Sequence, residues 1–388
     1  MIRDGHASMS QAADRMEAVT SESPSQVRPF IDVPCLICGG EQLDIVASAA
    51  DIEAQLRDLE IFHRRRRIGS RPADLADRAD FTQGYPTHVV ECRICGFIFR
   101  NPRPVMLAVT SAYIRDRYSE SHLRSEFELQ RKWAEKKSLL LTNWLPVDRT
   151  PVVIEVGSFV GGFLAAGQRR GWTMLGVDPG KQVTEFCRAR RLPVYCGTLG
   201  DASIAGGSVD AVVIWNTFDQ LPNPDTTLAA ARRILRQAGL LVVRVPNGVL
   251  YRKGVEIITG QSVLHDMATM VLAWNNLLAF PYLHGYSIST LDQLVGRHGF
   301  RRRRVYPDTL LPLADQDTKT WARWEESFVK WVCRALAAQP LWDTRQLAPW
   351  LDLYYERSEE IPNTAITVSR RLRPSARSHW EQLETSPF

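Results

Sequence analysis

Beyond Pro151 the chain alternates short apolar runs with longer stretches in which apolar residues recur every third or fourth position. The runs "PVVIEVG", "WTMLGVD", "LPVYC", "SVDAVVIWN" and "GLLVVRVPN" are rich in β-branched residues and bounded by Gly, Pro or Asn, which predicts five strands. The amphipathic stretches after Gly161, Gly180 and Pro224 predict helices between them. Strands that are apolar on both faces and joined by helices require a parallel sheet covered on both sides. Further on, "FRRRRVYPDTL" predicts a sixth strand and "NTAITVSRRLR" an antiparallel seventh, with helices inserted from about Thr318 to Glu359. The fold class is therefore α/β, and ligands on such a sheet bind beyond the carboxyl ends of its strands.

Before Pro151 the texture differs. Residues 1–29 are polar and predict a disordered tail, residues 30–104 carry two cysteine pairs, and residues 105–150 show a helical pattern that bridges to the core. The core is assigned to residues 151–310, with an aromatic-rich lid at 246–286, and residues 311–388 hold the helical insertion, last strand and tail.

Composition limits the function classes without choosing one. With 388 residues, 45% of them hydrophobic, the chain can bury a large core and more than one domain. Its 48 basic and 43 acidic residues leave a formal charge of +5, which gives no argument for a nucleic-acid partner. No stretch reaches the roughly 18–20 apolar residues of a membrane span, and the N-terminus has no signal core, so the expectation is a cytoplasmic protein without membrane insertion. The runs Arg64 to Arg67 and Arg301 to Arg304 read as a solvated helix end and a solvated strand start.

Four of the seven cysteines form "CLIC", Cys35 and Cys38, and "CRIC", Cys92 and Cys95, each followed by glycine. Two such knuckles let four thiolates converge on one tetrahedral zinc, with Gly39 and Gly96 turning backbone amides toward the sulfurs. The long separation of the pairs makes 47–84 an insertion that loops out of a zinc-ribbon module. Cys187, Cys196 and Cys333 read as ordinary half-buried thiols.

The turn after the first core strand, "EVGSFVGGF", sits at the ligand edge. A dinucleotide fold needs G-x-G-x-x-G so that backbone can approach a pyrophosphate. Phe159 stands where the second glycine belongs, although Asp178 lies at the distance of a ribose-binding acid. S-adenosylmethionine carries no phosphate and fits the departure better.

Taken together, the two knuckles, "CGFIFRNPRP", "EVGSFVGGF", "GVDPG", "GSVDAVVIWNTFDQLPNP", "RRILRQAGLLVVRVPN" and "HGYSISTLDQLVGRHGF" resemble the class I S-adenosylmethionine-dependent methyltransferases that carry a zinc-binding head in bacterial sugar and glycan pathways. The resemblance runs from Cys35 to Phe300. It implies a Rossmann-like seven-stranded sheet and places Glu155, Gly157, Ser158, Phe159 and Gly161 around the methionine part of the cofactor. It further implies that Asp178, followed by Pro179, holds the ribose hydroxyls, that Asp201 accepts from the adenine amino group beside the Ala202 amide, and that Asn216 borders the sulfonium. Two departures from the family stand out: glycine is common where Phe159 stands, and histidines are common where Asn216 and Gln220 stand.

Methyl transfer is an in-line displacement, so protein groups must align the partners and, for an alcohol or acidic carbon, remove a proton. Candidates for that base are His284 and Tyr282 near the end of the lid, with Asp219 and His265 as rivals. The lid aromatics Tyr251, Trp274, Phe280, Tyr282 and Tyr286 read either as a stacking surface for a sugar or as lid core. The acceptor expected from the resemblance is a small molecule, a sugar or nucleotide-sugar. Two alternatives are an RNA or protein methyltransferase gripping its partner through the zinc head, and a silent relative whose Phe159 closes the cofactor pocket. The oligomeric state is not legible in the chain.

Overall fold

A computed structural model describes residues 30–69, 87–115, 118–260, 262–314, 317–338 and 347–359. The tail at 1–29, most of the polar part of the 47–84 insertion and the stretch "NTAITVSRRLR" lie outside the described residues.

The head begins with β1 (Phe30–Ile31) and β2 (Leu43–Ala47), then α1 (Ala49–Arg66), β3 (His88–Cys92), β4 (Ile98–Asn101) and β5 (Arg103–Pro104). Helix α1 starts on a capping box: the Ser48 hydroxyl accepts from the Asp51 amide, while the Asp51 carboxylate accepts from the Ser48 amide. The bridge is two helices, α2 (Met106–Arg115) and α3 (Glu120–Thr142), the second capped by Ser119. Helix α3 lies directly on α4 (Gly162–Arg169), and only glycine fits there, because a Cβ on Gly162 would stand 2.5 Å from the Gln130 Cβ.

The core follows as β6 (Val152–Val156), α4, β7 (Thr173–Asp178), α5 (Lys181–Ala189), β8 (Val194–Cys196) and β9 (Val209–Trp215). After these come α6 (Pro224–Ile234) and β10 (Leu235–Pro246), then the lid helices α7 (Gly248–Thr259) and α8 (His265–Trp274). The chain closes through β11 (His284–Gly285), α9 (Ile288–Arg297), β12 (Phe300–Asp308), α10 (Thr320–Ala337) and β13 (Trp350–Arg357). The seven-stranded sheet has the order β12-β13-β10-β9-β6-β7-β8, parallel from β10 to β8 and antiparallel where β13 inserts between β10 and β12.

That antiparallel strand corrects the sequence expectation. The seventh strand is "WLDLYYER", inside the region expected to be helical up to Glu359, and the helix ends at Ala337. Residues Trp350 to Tyr355 are all buried because neighbours cover both faces of the strand, so the run shows no alternation to mark it.

Head and core are welded together. β11, at the end of the lid, pairs antiparallel with β4 of the head, His284 opposite Phe99 and Gly285 opposite Ile98. Cys35, Ile37, Phe97 and Phe99 share one apolar cluster with Val212, Leu241 and Leu291 of the core. The described part of the 47–84 insertion, up to residue 69, does not loop out as expected. Ile52, Leu59 and Phe62 of α1 share one apolar cluster with Val255 and Leu272 of the lid and Val329 of α10, so the apolar stripe of α1 is covered by the lid and α10.

Candidate active site

One cavity of about 1170 Å³ opens at the carboxyl edge of the parallel strands. Its near end is lined by Glu155, Gly157, Phe159, Asp178, Pro179, Gly197 to Asp201 and Asn216, its far end by His63, Arg66, Trp274, Asn276, Tyr282 and Leu310.

At the near end Asp178 organises the backbone. Its Oδ2 accepts from the Phe159 amide at 2.8 Å and its Oδ1 from the Gly180 amide at 2.8 Å, so one carboxylate joins the turns after β6 and β7. Glu155 is buried, and its Oε2 has no partner among the described residues. Burial first, and the nearby Asp178 charge second, hold its carboxyl well above the usual range. A cationic group entering the cavity would relieve both effects. Asp201 takes its Thr198 neighbour's amide and hydroxyl on Oδ2, and these bonds hold its carboxyl low.

The turn itself is left-handed at Gly157, Phe159 and Gly161, with φ of 72°, 43° and 77°. Phenylalanine is uncommon in that region, and here its amide and carbonyl are both anchored, the latter accepting from the Cys187 thiol at 3.2 Å. The Phe159 ring stands edge-on to Tyr118 at 5.3 Å and borders the cavity without filling it. The alternative in which Phe159 closes the cofactor pocket is thereby corrected. Gly161, Ser158 and Ala202 do not line the cavity: Gly161 caps α4 against Cys187 and Leu192, Ser158 packs behind Gly176, and Ala202 is buried.

Asn216, at the end of β9, is also left-handed, with φ 53°. Its Oδ1 accepts from Arg244 Nε at 2.8 Å. Arg244 is fully buried and bonds Asp352 at 2.5 Å, Asp308 at 3.0 Å and the Thr309 carbonyl at 2.8 Å. Lys137 of α3 binds the same two carboxylates behind the cavity, and the exposed Arg334 of α10 approaches Asp308 at 3.5 Å. Burial alone would raise Asp308, but Arg244 and Lys137 outweigh it and pull its carboxyl well below the usual range.

The base candidates separate. Tyr282 lines the far end, and its hydroxyl accepts from Asn276 Nδ2 at 2.9 Å. His284 does not reach the cavity: it is 1% exposed in the β11–β4 seam, stacks on Phe97 at 5.9 Å and meets the Leu221 carbonyl through Nε2. Burial, helped by the Arg103 charge, pushes it down to about 3, so it is a neutral core imidazole. Asp219 is fully buried behind the wall and pushed up to about 7 by burial. His265 is half-buried beside Asp266 at the start of α8. Both expectations for a catalytic role, His284 and Asp219, are corrected for the same reason: protein fills the space between them and the cavity. Of the lid aromatics, Tyr251, Phe280 and Tyr286 are core, whereas Trp274 and Tyr282 face the cavity.

Several lining groups escape a reading of the chain. His63, Arg66 and Arg67 reach the cavity from α1, so the arginine run is not a purely solvated helix end; Arg66 is held by both carboxylate oxygens of Glu325 and lies over the Phe62 ring at 3.5 Å. Tyr113 donates to Gln220, and Tyr118 exchanges two 2.8 Å bonds with Gln182, which pins the bridge over the near end. The run Arg301 to Arg304 is exposed, as expected.

In the head, the sulfurs of Cys35, Cys38, Cys92 and Cys95 lie within 4.8 Å of one another, with closest pairs at 3.5 Å. Four thiolates about 2.3 Å from a tetrahedral ion would stand about 3.8 Å apart, so the set fits zinc. Both knuckles have the same form: the glycines at 39 and 96 have φ 71°, and their amides bond the Cys35 and Cys92 carbonyls at 2.8 Å. A third glycine is also required, since a Cβ at Gly40 would lie 3.2 Å from two of the sulfurs.

A family profile described as "Methyltransferase domain" matches residues 126–305. No curated protein matches the chain. Among solved structures, an S-adenosylmethionine-dependent methyltransferase of Thermotoga maritima is similar at 16% identity and a TM-score of 0.40, covering 62% of this chain and 96% of that one. A second, from Archaeoglobus fulgidus, gives 15% and 0.37, covering 58% and 94%. The plantazolicin methyltransferase BpumL in complex with S-adenosylhomocysteine gives 13% and 0.39, covering 66% and 95%. Likeness at this level carries no argument about what is methylated. The seven-stranded sheet with its inserted antiparallel strand and the matched domain together give the class I methyltransferase fold. No helix among the described residues is long and apolar enough to cross a membrane.

Proposed function

We propose that this chain, an S-adenosylmethionine-dependent methyltransferase, methylates a small acceptor seated in the far half of its cavity, of the sugar or nucleotide-sugar class that its sequence resemblance implies. The observation that carries the reading is the volume of this cavity, which is larger than the roughly 300–1,000 Å³ of most ligand pockets and so has room for cofactor and acceptor together. Aromatic faces from Trp274 and Tyr282 beside the polar groups of Asn276 and His63 suit a ring that carries hydroxyls.

Bound at the near end, the cofactor supplies an electrophilic methyl on a positive sulfur. Asp178, whose carboxylate the Phe159 and Gly180 amides orient toward the cavity edge, would hold the ribose, and the orphaned Glu155 oxygen would take the methionine ammonium. Asp201 would accept from the adenine amino group, and Asn216, fixed by Arg244, would border the sulfonium. Tyr282, positioned by the Asn276 amide on its oxygen, would take the acceptor's proton as its phenolate, after giving up its own proton to solvent. We also assign a structural zinc to Cys35, Cys38, Cys92 and Cys95. The deciding experiment is a calorimetric titration with S-adenosylmethionine and S-adenosylhomocysteine, followed by a radiolabelled methyl screen over nucleotide sugars and glycans. Label appearing only in RNA or protein would reject the acceptor class.

Two variants follow. Asp178→Ala should weaken S-adenosylhomocysteine binding ten-fold or more, since hydrogen bonds to a charged group are worth about 1.5–3 kcal/mol. It should also lower stability, because two backbone amides lose their acceptor. Unchanged affinity would mean the ribose binds elsewhere. Tyr282→Phe should cut turnover about 100-fold with cofactor affinity intact, whereas His284→Ala should act on stability and leave turnover per folded molecule near the parent's. The reverse pattern would return the base to His284.

A further inference from the structure

Strand β12 is an edge strand of the seven-stranded sheet, and it carries Arg301 to Arg304 in succession. In regular alternation Arg301 and Arg304, three apart, would point to opposite faces. They do not, because the register against β13 slips by one residue between Arg302 and Arg304, which makes Arg303 the extra residue of a bulge. Arg301 stands opposite Glu356 and Arg304 opposite Tyr354, two β13 positions that share a face. Arg302, opposite Tyr355, turns to the other face and bonds Asp292 of α9 at 2.6 Å. The bulge thus gathers Arg301 and Arg304 on one side of the sheet edge, with Arg303 bonded to Glu356 at 3.2 Å beside them. Together with Trp144 and Tyr306 the run lines a hollow of about 390 Å³. The hollow shares no lining residue with the large cavity.

Charge on an edge strand blunts pairing with other chains, but any exposed charge serves that purpose and no particular face is needed. Gathering two arginines in one hollow goes beyond it. Among the described residues no carboxylate pairs with Arg301 or Arg304, and the Arg304 guanidinium lies 5.7 Å from the Tyr306 ring. Arg303 answers Glu356, so two positive charges are left over. A carboxylate brings one negative charge, whereas a phosphoryl group brings close to two and presents three oxygens to the planar guanidinium forks. Trp144, its ring centroid 5.6 Å from that of Tyr354, and Tyr306, edge-on to the same ring at 5.1 Å, give the hollow an aromatic wall. The volume lies at the lower end of the roughly 300–1,000 Å³ of small-ligand sites. A long nucleic-acid strand would need a track of cations, whereas these sit in one hollow on a chain whose 48 basic residues nearly match its 43 acidic ones. We infer that Arg301 and Arg304 form a binding site for the phosphoryl group of a small phosphate-bearing ligand, separate from the site of methyl transfer. The inference stands on this hollow alone and does not require the acceptor to be known.

The test is calorimetric titration of the full chain, in the presence of excess S-adenosylhomocysteine, with inorganic pyrophosphate, with ADP and with a short single-stranded RNA. Binding of pyrophosphate or ADP is expected and should weaken as salt is raised, and the two arms separate a free phosphate from a nucleotide as the source of the group. Arg301→Ala/Arg304→Ala should lower that affinity about ten-fold or more. The melting temperature and S-adenosylhomocysteine affinity should not change, because both side chains are exposed and pair with no acid among the described residues. Arg302→Ala should bind like the parent, since its side chain serves Asp292 on the opposite face. No binding of either phosphate, binding of RNA alone, equal affinity in parent and double variant, or an equal loss in Arg302→Ala would each overturn the inference.

Discussion

Chelation of the proposed zinc should lower the melting temperature by at least about 10 °C, and Cys35→Ser should reproduce the loss without a chelator. The size follows from where the knuckles sit. Cys35 and Cys92 are 2% and 0% exposed and belong to the same apolar cluster as the central strands of the core. In small zinc domains the metal contributes an apparent 10–16 kcal/mol, and here its loss would also leave four thiols crowded within 4.8 Å. Because β11 of the core pairs with β4 of the head, the disturbance should reach the lid and weaken cofactor binding as well as the head. Metal analysis of protein purified without added zinc should find one ion per chain. A metal-free protein with an unaltered melting curve would refute the assignment.

What the chain makes legible is what local physics fixes. The parallel strands are readable because each is a short β-branched run closed by a turn residue, and the knuckles because two sulfurs per turn leave little freedom of geometry. Asp178 is readable from its distance to the turn, although its grip on the Phe159 and Gly180 amides is not. β13 is hidden because burial on both faces erases alternation. His284 and Tyr282 are two residues apart and equally polar in the chain, yet one faces the β11–β4 seam and the other the cavity. That choice depends on a pairing between segments far apart in sequence. The same holds for His63 and Arg66, since nothing in an arginine-rich helix end announces a packing partner in a helix near residue 325. A signal was present in one case: a lone arginine in "GLLVVRVPN", inside an otherwise apolar strand, demands buried counter-charges.

That arginine gives the other large effect. Arg244→Met should cost about 3–5 kcal/mol of stability, because buried Asp352 would share Lys137 with Asp308, whose other partner, Arg334, is exposed and 3.5 Å away. Cofactor affinity should fall too, since Asn216 loses the bond that holds it at the strand end in a left-handed conformation. Adding Asp352→Asn separates the two effects. The double variant restores charge balance, so it should recover most of the stability while affinity stays low. The pH dependence gives an independent check. Asp308 is held below its unfolded value, so its contribution is complete above about pH 4–5 and is lost as the pH falls through the folded value. Arg244→Met removes one of the two charges that depress it, so the gap between parent and variant should narrow on acidification. Denaturant midpoints across that range measure it, and a gap that stays constant or widens toward low pH would show that the Asp308 pairing does not carry the stability assigned to it.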